Sequence, residues 1–388
     1  EAGPAMSNIY DLVVIGGGVN GATVALFCAR GGMRVALIER DQVCRGASGV
    51  NAGTLTLQMT RVALIPYALE AHAMWANARD WLGHDVGVVV CDGLSLAFSA
   101  NEEEMLTHRA QKRREAGAPI ELITPRQAQL IEPGLSDNVR VAGWCSVDGY
   151  ANAYLTGLAY RRALVAAGVD VFEHRSATGV DTDNNFRVAT DAGPVEGRRL
   201  VIAGGVWIEP MLAWLGVTLP IKVLVNQLCV TERVRPVMRT QVGIASGLLS
   251  LKQYPHGTVV IGGGWQGRGD RTANTSSLVT ASVIGNVRLA CHAIPALRDA
   301  RLVRAWTGFE AETDDAMPAA GPVPGVPDAY VCGSIHSGYT SGPYIAKLLA
   351  QHILGREPER PLFPIDRLLS ARSAEPASQS SATTSPEA

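Results

Sequence analysis

The chain has 388 residues, with 34 Lys and Arg against 36 Asp and Glu, so its formal charge is −2 with histidines neutral. That balance argues against nucleic acid as the main partner, because neutralising phosphates needs a basic surplus. A composition 47% hydrophobic and 18% charged excludes disorder over most of the length, and 41 Gly with 21 Pro read as a loop-rich α/β enzyme. Seven cysteines are scattered without a CxxC pair, which suits a reducing, cytoplasmic setting and offers no clustered ligand set for a metal centre within the chain. No apolar run approaches the roughly 18 residues of a membrane span.

Residues 1–5 precede Met6 and read as an appended remnant, and structure is expected from Ile9. An apolar β-run Asp11–Ile15, a helix Val19–Arg30 ended by Gly31-Gly32, and a second run Arg34–Ile38 form a βαβ unit. The later runs Val169–Glu173, Phe186–Thr190, Leu200–Ala203 and Ala329–Cys332 are expected to rejoin that first sheet, the last leading into a helix from Pro343 to Leu354. Residues 61–147 and 206–305 mix helices with strands such as Gly87–Val90 and Thr258–Ile261, and are assigned to a second, substrate-facing domain. Residues 9–60, 148–205 and 306–369 form the nucleotide domain, and Ser373–Ala388 reads as a disordered tail. The basic stretch His108–Arg114 reads as a solvated helix face or a partner contact.

The first strand runs directly into Gly16-Gly17-Gly18-Val19-Asn20-Gly21, a GxGxxG pattern at Gly16, Gly18 and Gly21. Gly16 permits the tight turn, Gly18 lets backbone approach a pyrophosphate, and Gly21 lets the helix pack closely while its N-terminus faces the negative charge. Glu39, closing the second strand, can accept from ribose hydroxyls and disfavours a 2′-phosphate. A second GxGxxG at Gly262, Gly264 and Gly267 follows the strand Thr258–Ile261. Residues 268–275 show no helical period after it, so it reads as a strand end and loop.

The run Gly46–Gly53, the strand-turn Leu200–Gly205, and Trp306–Pro318 with His336-Ser337-Gly338-Tyr339 resemble the D-amino-acid-oxidase-like flavoenzymes. Within them the chain is most similar to the FAD-carrying β subunits of heteromeric sarcosine oxidase, D-hydroxyproline dehydrogenase and opine oxidase, over about residues 9–369. The resemblance implies a Rossmann-like FAD domain built from discontinuous segments and a mixed-sheet substrate domain, α/β overall. It implies FAD contacts from Gly16, Gly18, Val19, Asn20, Gly21, Glu39 and Arg40, and from Gly46, Ala47, Ser48, Asn51, Ala52, Gly53 and Thr54. Further contacts are implied at Ala177, Ala203, Gly204, Gly205 and Trp207, and at Gly308, His336, Gly338, Tyr339, Thr340 and Ser341. Pro343 suits the first position of a helix whose positive end the family places against the flavin, although an ordinary capped helix explains it too.

The same resemblance implies hydride removal from the carbon beside an amine nitrogen, delivered to flavin N5, with His336, Glu310 and Tyr339 as catalytic candidates on a secondary amine, imino acid or opine. His336 either moves a proton or is a loop histidine. Glu310 stands where related glycine oxidases have a carboxylate-gripping arginine; it either binds a cationic group or points to solvent. Gly308 stands where covalent members have cysteine, so FAD is expected to be noncovalent. Residues 147–157 contain no histidine to anchor FMN, which leaves FMN a noncovalent place at a subunit interface. The strand Thr258–Ile261 lacks an oxygen-activating lysine, which favours a dehydrogenase passing electrons to partner subunits with FMN or iron–sulfur centres. The alternatives are a self-sufficient, peroxide-producing oxidase and a non-catalytic FAD-binding subunit. A flavin-dependent RNA-modifying enzyme fits the fold and not the charge.

Overall fold

Leu12, Val13, Val14 and Ile15 are each at most 2% exposed, so the first strand is covered on both faces. An unbroken apolar run of this kind belongs in a parallel sheet with a packed layer on either side. The computed structural model, which describes residues 9–336 and 338–369, places it there; the expectations for residues 1–5, Ser337 and 373–388 lie outside the described residues. Six strands run in the order 319–322, 329–333, 200–202, 12–15, 35–38 and 170–172, all parallel except the first. Leu12 and Val14 face a layer containing the helices Val19–Arg30, Ala153–Ala166 and Gly338–Ile353. Val13 and Ile15 face the opposite layer with Val188, Leu212 and Ile365.

Three of the four later runs rejoin this sheet as expected. Phe186–Thr190 does not: it pairs with Ala177–Asp181 and Val195–Gly197 in a separate antiparallel sheet. Its own pattern carries the reason, since Phe186 and Val188 are buried while Arg187 and Ala189 are exposed, the alternation of a strand covered on one face.

The second large sheet has eight strands in the order 302–312, 222–231, 259–262, 250–253, 241–244, 93–97, 141–145 and 120–123. Its longest ladder is antiparallel, Lys222–Thr231 against Leu302–Glu312, with Lys222 opposite Glu312 and Leu228 opposite Trp306. By strand pairing, the chain leaves this sheet after Glu312, seven residues beyond the expected end of that segment at 305. The helix Ile65–Ala76 likewise packs on Gly338–Ile353, through Trp75 and Tyr67, although it falls within the 61–147 segment.

The C-terminal helix starts at Gly338, not at Pro343, and carries Pro343 inside it. An internal proline strands the carbonyl four residues earlier. Here that carbonyl, on Tyr339, accepts from the Trp75 indole N–H at 3.1 Å, with the Thr340 carbonyl at 3.2 Å from the same donor. Trp75 is fully buried and its ring stacks on that of Tyr339 at 4.8 Å. A tryptophan far away in sequence thus takes over the bond that proline cannot make.

The basic stretch sits on the helix Ala100–Glu115, opened by a capping box between Ser99 and Glu102. It is not wholly solvated: Arg109 donates to the Ala245 carbonyl at 2.6 Å and Arg113 to the Thr60 carbonyl at 2.8 Å. Burial pushes the Arg113 guanidinium down to about 10. Among the described residues no helix is long and apolar enough to cross a membrane.

Candidate active site

The glycine turn sits between strand and helix with little room to spare. Gly16 has φ +104°, and a Cβ there would lie 2.4 Å from the Ala203 carbonyl oxygen; one on Gly21 would lie 2.0 Å from the Gly16 carbonyl oxygen. The helix Val19–Arg30 begins without a side-chain cap from Gly18, and the Val19 N–H donates to Ser48 Oγ at 3.0 Å. Glu39 lies across the turn, accepting from the Gly17 N–H at 2.7 Å and the Asp41 N–H at 2.9 Å. Asn20 Oδ1 and Ser341 Oγ are buried without hydrogen-bond partners, and the first adjoins Gly342, whose Cβ would lie 2.3 Å from it. Buried polar atoms are ordinarily satisfied, so these two, beside an uncapped helix N-terminus, fit a polar, anionic ligand such as a dinucleotide.

The loop after the second strand folds back over this turn. The short helix Ala47–Val50 follows Gly46, Asn51 Nδ2 donates to the Ser48 carbonyl at 2.7 Å, and Gly53, at φ +69°, donates to Asn51 Oδ1 at 2.6 Å. Thr340 Oγ1 donates to the Thr54 carbonyl at 3.1 Å, which ties the loop to the first turn of the C-terminal helix that Gly338 opens. Gly308 abuts Val50, and the Trp306 indole donates to the Val50 carbonyl at 2.7 Å. Ala177 opens the small antiparallel sheet two residues beyond Arg175, whose N–H donates to the Glu39 carbonyl at 3.0 Å. Beyond the Gly204-Gly205 turn, Trp207 carries the Arg40 guanidinium 3.5 Å from its ring centre.

Two of the three catalytic candidates come together. His336 Nδ1 lies 3.3 Å from Glu310 Oε1 and 3.8 Å from Glu312 Oε2. Asn226 Nδ2 donates to Glu310 Oε2, and Asn226 Oδ1 accepts from Gln266 at 2.6 Å. Glu310 therefore faces His336 and Asn226 rather than open solvent. Glu312 is balanced by Arg61 and Lys222, each at 3.1 Å. Tyr339 is placed differently, its hydroxyl 2.7 Å from Thr156 Oγ1 and its ring on Trp75, and burial raises its phenol further above its ordinary value.

Lys252 is the residue that sequence reasoning passed over. The expected place for a lysine was Thr258–Ile261; the lysine stands on the neighbouring strand, opposite Val260. It is fully buried, donates to the Ala52 carbonyl at 2.9 Å and to Thr54 Oγ1, and burial pushes its ammonium down to about 7. The only signal was a lysine within the apolar run Leu248–Lys252. Arg61, Asn226 and Trp75 were missed too, and no local pattern marks them.

The chain is similar to known proteins over most of its length. An opine oxidase subunit of Rhizobium meliloti is 29% identical over 360 residues, 88% of this chain and 93% of that protein. Glycine oxidase of Geobacillus kaustophilus is 26% identical over 369 residues, 92% and 97% of the two chains. The crystal structure of L-proline dehydrogenase from P. horikoshii shares the fold with a TM-score of 0.86 at 22% identity, covering 94% of this chain and 98% of that one. Residues 11–352 match the family described as FAD dependent oxidoreductase, and the chain belongs to that family and binds FAD.

Proposed function

We propose that this chain oxidises the C–N bond of a secondary amine, imino acid or opine, with FAD held noncovalently. The His336–Glu310 pair, with Glu310 on the strand that abuts the Ala47–Val50 loop, carries the reading. Bound FAD supplies the hydride acceptor. His336 takes the proton that leaves the substrate amine, with Glu310, held by Asn226 and Gln266, 3.3 Å from its Nδ1. Glu312, paired with both Arg61 and Lys222, adds no uncompensated negative charge to that pair. Gly308 supports noncovalent attachment, since the position offers no thiol. Likeness to the opine oxidase subunit supports a heteromeric assembly, and in this reading partner subunits with FMN or an iron–sulfur centre receive the electrons.

The anaerobic visible spectrum, recorded before and after adding sarcosine, proline, hydroxyproline isomers or opines, tests this. Bleaching of the flavin bands by one of them is expected; bleaching only in the assembled complex would point instead to a non-catalytic FAD-binding subunit. Lys252 favours a second reading, a self-sufficient oxidase, because it puts near this site the lysine whose lack spoke against that activity. Stoichiometric peroxide from the isolated chain under air would decide for it.

A further inference from the structure

The second glycine pattern leads into a hairpin, Arg268–Asp270 paired with Thr275–Ser277, whose strand residues are all exposed. An isolated two-stranded ribbon is marginal in water, so its placement rests on what it touches. Its base is held to the long ladder: Ser276 Oγ is 2.7 Å from Thr307 Oγ1, and Gly269 sits so close to Phe309 that a Cβ would lie 2.9 Å from the ring. Its tip reaches the other domain. Asn274 Oδ1 accepts from Arg40 at 3.3 Å, the Arg271 carbonyl accepts from the Trp207 indole at 2.8 Å, and Arg271 itself donates to the Val206 carbonyl at 3.1 Å and pairs with Glu209.

Position gives these bonds a purpose. The strands 35–38 and 200–202 flank 12–15 on its two sides, all parallel, so their carboxyl ends open on one edge above the Gly16–Gly18 turn. Arg40 follows one flanking strand and Trp207 follows the other, and their stack spans that edge. A planar guanidinium there can stack and pair with phosphate at once. We infer that the 268–277 hairpin is a clasp over the adenosine diphosphate half of FAD, holding the Arg40–Trp207 bridge closed and opening to admit or release the dinucleotide. The inference rests on the FAD reading and adds to it a retaining element supplied by the substrate sheet.

Two variants test it by the rate at which bound FAD is released into flavin-free buffer, read as recovered free-flavin fluorescence. Asn274→Gly removes the acceptor for Arg40 while suiting the positive φ of 51° at that position. Arg271→Ala removes the ties to Val206 and Glu209. Each lost hydrogen bond is expected to speed release roughly 3- to 10-fold, and to weaken ADP binding to the apoprotein by a similar factor. ADP should also slow tryptic cleavage of the wild-type apoprotein after Arg268 and Arg271. Wild-type release rates in Asn274→Gly, together with cleavage that ADP does not slow, would overturn the clasp. A wild-type chain that takes up neither FAD nor ADP would overturn the FAD reading instead.

Discussion

Two stretches of this chain carry the same glycine spacing and have different structures around it. At Gly16–Gly21 the pattern lies between a fully buried strand and a twelve-residue helix, and both outer glycines are pressed against backbone carbonyls. At Gly262–Gly267 it follows an equally buried strand but runs into an exposed hairpin, and the nearest atom to a Cβ on Gly264 is the end of the Leu248 side chain at 3.2 Å. The motif's meaning therefore lies in the helix that follows, which aims N–H groups at an anion. The second copy lacks the helix: a Cβ on Gly267 would lie 2.7 Å from the Ser277 carbonyl oxygen, so glycine is demanded there by the stem of a clasp and not by an anion.

The sharpest way to break this comparison is a matched pair of substitutions. Gly21→Ala forces a Cβ onto the Gly16 carbonyl and should weaken FAD binding by at least about 100-fold or prevent folding, whereas Gly264→Ala should leave affinity within about twofold, both read by flavin fluorescence titration. The next effect concerns chemistry. Glu310→Gln keeps the shape and removes the charge beside His336, so kcat/KM should fall about 100-fold with the bound-flavin spectrum unchanged. A smaller effect falls on stability. Lys252 has its ammonium lowered to about 7 from an ordinary 10.5, so between those values the unfolded chain binds more protons than the folded one. Stability of the apoprotein should therefore rise with pH from about 7 towards 10, and Lys252→Met should flatten that slope and add a few kcal/mol at pH 7, seen in urea melts. Smallest is Trp75→Phe, which keeps the stack on Tyr339 but strands its carbonyl; a roughly 3- to 10-fold loss of FAD affinity is expected by the same titration.

What could be read in the chain beforehand followed the reach of each signal. The helix Val19–Arg30 matches its expected bounds because its start and stop are steric facts of neighbouring glycines, and the Gly31 and Gly32 N–H groups cap it on the Phe27 and Ala29 carbonyls. The start of the C-terminal helix was misplaced because the proline rule assumes that no outside donor serves the carbonyl four residues back, and Trp75 lies 264 residues from it. Phe186–Thr190 lies in a different sheet from the one expected, because its alternation marks a strand covered on one face, unlike the fully covered strands of the parallel sheet. Glu310 and His336 were found through resemblance, yet their pairing, and the balancing of Glu312 by Arg61 from 251 residues away, are products of tertiary packing alone.

The strand Leu302–Glu312 has a consequence of its own. Side chains alternate along it. Trp306, Gly308, Glu310 and Glu312 meet the Ala47–Val50 loop, His336 and the charged cluster, while Thr307, Phe309 and Ala311 meet the hairpin, Trp207 and the core of the first sheet. Glu310 and Glu312 can thus vary without disturbing the contacts that Thr307 and Phe309 make with the hairpin and Trp207. A single inserted residue would exchange the two vocabularies at once, so diversification along this strand is confined to substitution.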